Sequence, residues 1–137
     1  MANEAVLRDR FSAPINMSCF DNLAMEKGTI VVLSGPRGVK ASLADGDVFA
    51  GILHREKIAN DGRTQCAVFV DGIFDCRVES GAATIPAGTQ VGLSGPNSLK
   101  VFTPGDSEDG TVVGRLLEEV NGVGTIQTTQ VIVGRGP

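Results

Sequence analysis

The chain reads as an all-β protein: a compact single-domain β-barrel or β-sandwich-like fold, built from two pseudo-repeated halves and carrying an extended N-terminal arm. Three observations predict this. One phrase occurs twice, since Gly28-Thr29-Ile30-Val31-Val32-Leu33-Ser34-Gly35-Pro36 returns sixty positions on as Gly88-Thr89-Gln90-Val91-Gly92-Leu93-Ser94-Gly95-Pro96, with Lys40 returning as Lys100. Each copy is a glycine turn, a short alternating apolar stretch and a Ser-Gly-Pro turn, the pattern of a strand entering a tight reversal. A second match, Asp47-Val48-Phe49-Ala50-Gly51-Ile52-Leu53 with Gly110-Thr111-Val112-Val113-Gly114-Arg115-Leu116, is offset by three further residues. The third observation is punctuation: 18 glycines and 6 prolines fall where the strands should stop. A solenoid needs about three or more repeats to bury a continuous core, so two copies are pseudo-symmetric halves of one domain.

In chain order, residues 1–26 read as the arm, 27–133 as the β domain and 134–137 as a short tail. Within the arm, Val6, Leu7, Phe11, Ile15, Met17 and Phe20 follow no strict period and Pro14 interrupts any helix. The alternative is a frayed terminus or a first strand of the domain's own sheet. Residues 29–33 form the first repeat strand, 41–46 a loop and 48–53 a strand. Asn60-Asp61-Gly62 signals a hairpin. Next, Val68, Val70, Gly72, Phe74, Cys76 and Val78 share one face, with Asp71, Asp75 and Arg77 on the other. This reads as one long strand bent or bulged at Gly72. Ile85-Pro86-Ala87-Gly88 turns into the second repeat strand, and strands over 99–102 and 111–120 follow. Asn121-Gly122 is a second hairpin signal before a β-branched strand over 125–133.

Composition narrows function. The net charge is −4, and the basic residues are scattered. Nucleic-acid affinity comes mainly from clustered Lys and Arg, so this balance argues against such a partner. Trp and Tyr are absent, which removes the usual base-stacking platforms. With 42% hydrophobic residues, the chain has enough apolar side chains for one core. No apolar run approaches a membrane span, and the first ten residues lack the apolar segment of a secretory signal. The expectation is a product made and kept in a cytoplasm. Three cysteines, Cys19, Cys66 and Cys76, are an odd number for a disulfide framework and read as buried thiols.

A search for catalytic constellations is thin. The one histidine, in His54-Arg55-Glu56, matches the first half of a zinc-deaminase signature without the Pro-Cys-x-x-Cys that should follow. A solvent-facing strand-end histidine is the simpler reading. The Gly35-to-Ser42 stretch lacks the Gly-Lys-Ser/Thr ending of a phosphate loop, and Gly38 becomes Ser98 in the second copy. Asp106, Glu108 and Asp109 are acidic enough for calcium but lack the ligand spacing of a known loop. No enzymatic activity, cofactor or metal is expected.

The order of Gly28 to Pro36, Val48-Phe49-Ala50-Gly51-Ile52, Val70-Asp71-Gly72-Ile73-Phe74, Ile85-Pro86-Ala87-Gly88-Thr89-Gln90-Val91 and Val112-Val113-Gly114-Arg115-Leu116 resembles the head-decoration, or capsid cement, proteins of tailed double-stranded-DNA phages. The resemblance is greatest to the group often mislabelled as phage recombinases, and it covers about residues 28–133. It implies an all-β core, a homotrimer at threefold or quasi-threefold axes on the outer surface of the virion's capsid, the major capsid protein as partner, and no catalysis. On physical grounds the arm would pair its backbone with an exposed capsid strand while Phe11, Ile15 and Met17 fill pockets. Such an arm could be removed without unfolding the domain. Two rival classes remain: a noncatalytic β-barrel ligand-binding module, and a subunit of a host complex.

Overall fold

The computed structural model describes residues 4–43, 47–79, 84–102, 112–120 and 126–134. Among them are eleven strands and no helix: β1 (Val6–Asp9), β2 (Ile15–Cys19), β3 (Ile30–Gly35), β4 (Gly38–Ala41), β5 (Phe49–Leu53), β6 (Gln65–Phe69), β7 (Gly72–Glu79), β8 (Gln90–Leu93), β9 (Leu99–Val101), β10 (Val112–Leu116) and β11 (Ile126–Val133). They close two small barrels. The first runs β2-β4-β3-β5-β6. The second runs β7-β11-β10-β8-β9 and is closed by a β7–β9 pairing, with β1 added beside the start of β7.

The barrels are copies. In each, the first strand lies parallel to the third and antiparallel to the fifth, while the remaining pairings are antiparallel. Register makes the equivalence residue by residue. Leu33 faces Val39 as Leu93 faces Leu99, and Ile30 faces Ile52 as Gln90 faces Arg115. Ile52 faces Phe69 as Arg115 faces Ile132. The connections repeat as well: an isolated bridge joins Met25 to Lys57 and another joins Ile85 to Val120. The Thr29 and Thr89 hydroxyls donate to the carbonyls three residues back, Glu26 at 2.7 Å and Pro86 at 2.8 Å. The offsets of 60 and 63 seen in the sequence are therefore offsets in space.

Two glycines show what closure of so narrow a barrel demands. A Cβ at Gly51 would run into the Phe69 carbonyl, and one at the equivalent Gly114 into the Ile132 carbonyl. Both sites admit only a hydrogen where neighbouring strands cross closely.

Packing follows alternation. Val31, Val39, Leu53, Val68, Cys19 and Met25 fill the first barrel, with Met17 and Cys66 packed against them. Ile30, Val32, Ile52 and Phe69 point outward from that barrel, yet they are buried in a second cluster with Phe74, Val91, Leu93, Leu99, Leu116 and Val131 of the second barrel. One end of the second barrel thus sits on the flank of the first. Burial of four such side chains stabilises the junction by about 1.5–3 kcal/mol each.

Two expectations are corrected. Within residues 4–26 there is no separate arm: β1 is a strand on β7, and β2 closes the first barrel between β4 and β6. Met17 and Cys19 alternate inward with Asn16 and Ser18 outward, while Ile15 begins the strand exposed, which gives β2 its place. Nor is there one long strand from Val68 to Val78. The chain leaves the first barrel after Phe69 and enters the second at Gly72, whose φ is 140°. Alternation ran unbroken across that step because both strands share parity, although they face different interiors. The Asn121-Gly122 hairpin signal and residues 135–137 of the tail lie outside the described residues.

Candidate docking surface around Lys57

The Met25–Lys57 bridge builds the most unusual site in the molecule. Its counterpart, Ile85–Val120, is apolar on both sides, whereas here a lysine side chain is 2% exposed. The Lys57 ammonium donates to the Asp21 carbonyl and Asp21 Oδ1, both at 3.0 Å, to the Ile58 carbonyl at 2.6 Å and to Asp61 Oδ1 at 2.8 Å. An ammonium has three protons, so every one is engaged. Burial alone would lower its pKa, but the Asp61 and Asp21 carboxylates outweigh it and raise the value above the ordinary lysine range. Such a group is neither a nucleophile nor a base at neutral pH. Asp61 is held down at about 2, first by the Lys57 hydrogen bond and then by the backbone amide of Arg63.

The consequence is mechanical. Lys57 ties the turn after β2, which carries Asp21, to the β5–β6 connection, which carries Ile58 and Asp61. The tie is doubled by the Asn60 amide on the Asp21 carbonyl at 2.6 Å and the Gly62 amide on Asp21 Oδ1 at 2.9 Å. On this pinned pair of loops Phe20, Leu23 and Ile58 are exposed large apolar side chains. Phe20 also lines a cleft of about 200 Å³ with Ser34, Gly35 and Pro36. Exposed apolar residues standing singly are ordinary; here three stand on one tied pair of loops.

The residues expected at a partner contact are not gathered there. Phe11 and Ile15 are exposed, but Ile15 stands at the other end of β2 and Phe11 precedes it. Met17 is half-buried and packs against the first-barrel core beside Cys66. Sequence reading passed over Lys57, Asp21 and Asp61. The signal was available, because the 63-residue offset sets Lys57 against Val120.

Elsewhere, His54 ends β5 half-buried and not simply solvent-facing, its ring edge-on to Phe69 at 4.9 Å. Burial first, then Arg55 and Lys27, hold its pKa below the usual histidine value. It borders a cavity of about 440 Å³ with Ala5, Val6, Leu7, Lys27 and Phe69. The Gly35-to-Ser42 stretch spans the β3–β4 turn and β4 itself, a strand where a phosphate loop requires a helix. Cys76 is buried, and burial pushes its thiol up to about 12; Cys66 reaches about 12 through burial and the neighbouring Cys19. Among the described residues no group of three or more His, Cys, Asp or Glu is placed to hold a metal ion, and Asp106, Glu108 and Asp109 lie outside them. Compared with known protein families and with curated proteins, the chain matches no family model and no curated sequence.

Proposed function

We propose that the chain is a capsid decoration protein that binds the outer surface of a phage head and stabilises it, as a homotrimer at threefold or quasi-threefold axes with the major capsid protein as its partner. The observation that carries this reading is the Lys57 tie: a buried lysine spends its whole hydrogen-bonding capacity holding Phe20, Leu23 and Ile58 outward. Rigid presentation lowers the entropy lost on docking. The sequence resemblance supplies the kind of partner. A shell filled with DNA is strained outward, and a protein that clips neighbouring subunits adds interface without altering the shell's own fold. Small contacts suffice when three linked copies bind together, because each further copy docks at high effective concentration.

Co-sedimentation with empty shells assembled from a phage major capsid protein tests the reading. The parent chain should pellet with shells. Leu23→Ser and Ile58→Asp should weaken binding by about tenfold or more, the range of a central anchor, while circular dichroism stays unchanged. Failure of the parent to bind, or undiminished binding by both variants, overturns the proposal.

A further inference from the structure

The two barrels are equivalent in fold but not in what covers them. At the covered end of the second barrel, Phe74 is 1% exposed, Leu93 2% and Asn97 3%. Their equivalents in the first barrel are Ile15, Leu33 and Arg37, by the registers that pair Ile15 with Val68 as Phe74 with Val131, and Leu33 with Val39 as Leu93 with Leu99. Ile15 is 37% and Leu33 44% exposed, and the turn through Ser34 to Arg37 is exposed throughout. The receiving surface shows the converse. Gly28, Thr29 and Ile30 are buried, Gly28 beneath Glu4 and Ala5 as well as beside Asn97 of the second barrel, whereas the equivalent Gly88 is exposed and Thr89 and Gln90 are half-buried.

The contact between the barrels has a definite plug. Asn97, at φ 52° in the β8–β9 turn, accepts the Ile30 amide on Oδ1 at 2.6 Å, donates from Nδ2 to the Gly28 carbonyl at 3.3 Å, and donates its own amide to Ser42 Oγ at 3.0 Å. Arg37 sits in the β3–β4 turn at φ 55°, the same backbone shape. Each chain therefore uses one plug and one socket and leaves one of each uncovered.

We infer that copies of this chain bind one another head to tail, with Ile15, Leu33 and the Ser34–Arg37 turn of one copy docked on the Gly88–Gln90 strand start of the next. The inference rests on the homotrimer proposed above and supplies its contact; it needs no shell. The occupant is a second copy because the chain itself shows how this barrel end and this flank meet. Chemistry has changed as an intermittently exposed interface requires. Gln90 and Arg115 stand where the in-chain socket has Ile30 and Ile52, and Arg37 stands where the in-chain plug has Asn97. Arg37 gives one proton to the Asn16 carbonyl at 2.9 Å. Four further donors remain for the Gly88 carbonyl and the Gln90 side-chain oxygen. Exposed Glu118 and Glu119 follow Leu116, whose carbonyl takes the Gly88 amide, so acidic side chains lie close in sequence to the socket together with the basic Arg115. A head-to-tail contact is heterologous and closes into a ring when its rotation allows.

Thiol-specific cross-linking with a short bismaleimide tests this, with the parent's own thiols as background. Arg37→Cys alone and Gln90→Cys alone should give no cross-link, their equal mixture should give a cross-linked dimer and nothing larger, and the doubly substituted chain should give a ladder that stops at a closed ring. The unlabelled parent, placed in the mixture as a competitor, should block the cross-link, and Arg37→Glu, which keeps its socket but loses its plug, should block it less. Cross-linking within a single variant, which marks a symmetric interface, or no cross-link at high concentration in any combination, overturns the inference. Shell binding is scored separately with the same chains: shells bound without any head-to-tail cross-link would sink this contact and leave decoration standing, while cross-linked rings that ignore shells would do the reverse.

Discussion

Replacing Asn97 by glycine isolates the hydrogen bonds that join the barrels. Glycine adopts φ near 52° without strain, so the β8–β9 turn keeps its shape, and the Asn97 amide keeps its bond to Ser42 Oγ. What disappears is the side chain. The Gly28 carbonyl loses a long contact of 3.3 Å but still accepts the Ala5 amide at 2.9 Å, so little is lost there. The Ile30 amide is different: its residue is 1% exposed and its acceptor at 2.6 Å is gone. An unsatisfied buried donor costs about 1–3 kcal/mol, and relief of the left-handed strain at Asn97 offsets up to about 1 kcal/mol of that. A net loss of about 1–2 kcal/mol corresponds to a fall in Tm of roughly 4–8 °C for a chain of this size. Urea denaturation should move to a lower midpoint with an unchanged slope. Asn97→Ala, which keeps the strain and loses the same bonds, should be worse than glycine. A glycine variant as stable as the parent would show that the Asn97 contact contributes nothing to the junction.

Three further outcomes are expected. Because Asp61 titrates at about 2 in the folded chain against an ordinary 3.8, its pairing with Lys57 contributes stability above the ordinary value that is lost as pH falls towards 2; melting temperature should drop over that window in the parent and drop less in Lys57→Val, and parallel curves would refute the assignment. Deleting residues 1–19 removes β1 and β2 and opens the first barrel between β4 and β6, so cooperative melting should be lost; a truncated chain that melts like the parent would mean that β2 is dispensable. Alkylation under native conditions should leave Cys76 unlabelled, since it is buried with its thiol at about 12, and rapid labelling would put β7 one residue out of register.

Duplication was legible because it is written in residue types that do structural work. The Gly-Thr and Ser-Gly-Pro turns recur since each barrel needs the same reversals, and Gly51 and Gly114 recur since each barrel has the same close crossing. The first strand of each copy was hidden for a physical reason. Cys19 pairs with Val39 and Val78 with Leu99, so β2 and β7 correspond at an offset of 59, one short of the offset that aligns β3 with β8. A one-residue change inverts every side chain in a strand. Aligned at sixty, the inward Met17 and Cys19 fall on the outward Arg77 and Glu79, and the strand reads as something outside the repeat.

Function shows where equivalent positions part company. The bridge of Ile85 to Val120 proves that this corner of the barrel closes with apolar residues alone, and Lys57 therefore answers to something other than closure. Burying an ammonium is costly unless it is fully paired, and replacing such a cluster by apolar residues is often neutral or stabilising. What the lysine does secure is the position of its partners. Those partners, Asp21, Ile58 and Asp61, lie on the two loops that carry Phe20, Leu23 and Ile58 into solvent. The same comparison sets buried Leu93 against exposed Leu33 and buried Asn97 against exposed Arg37. One barrel has thus kept its junction inside the chain, and the other turns the equivalent junction outward, where a further copy can complete it.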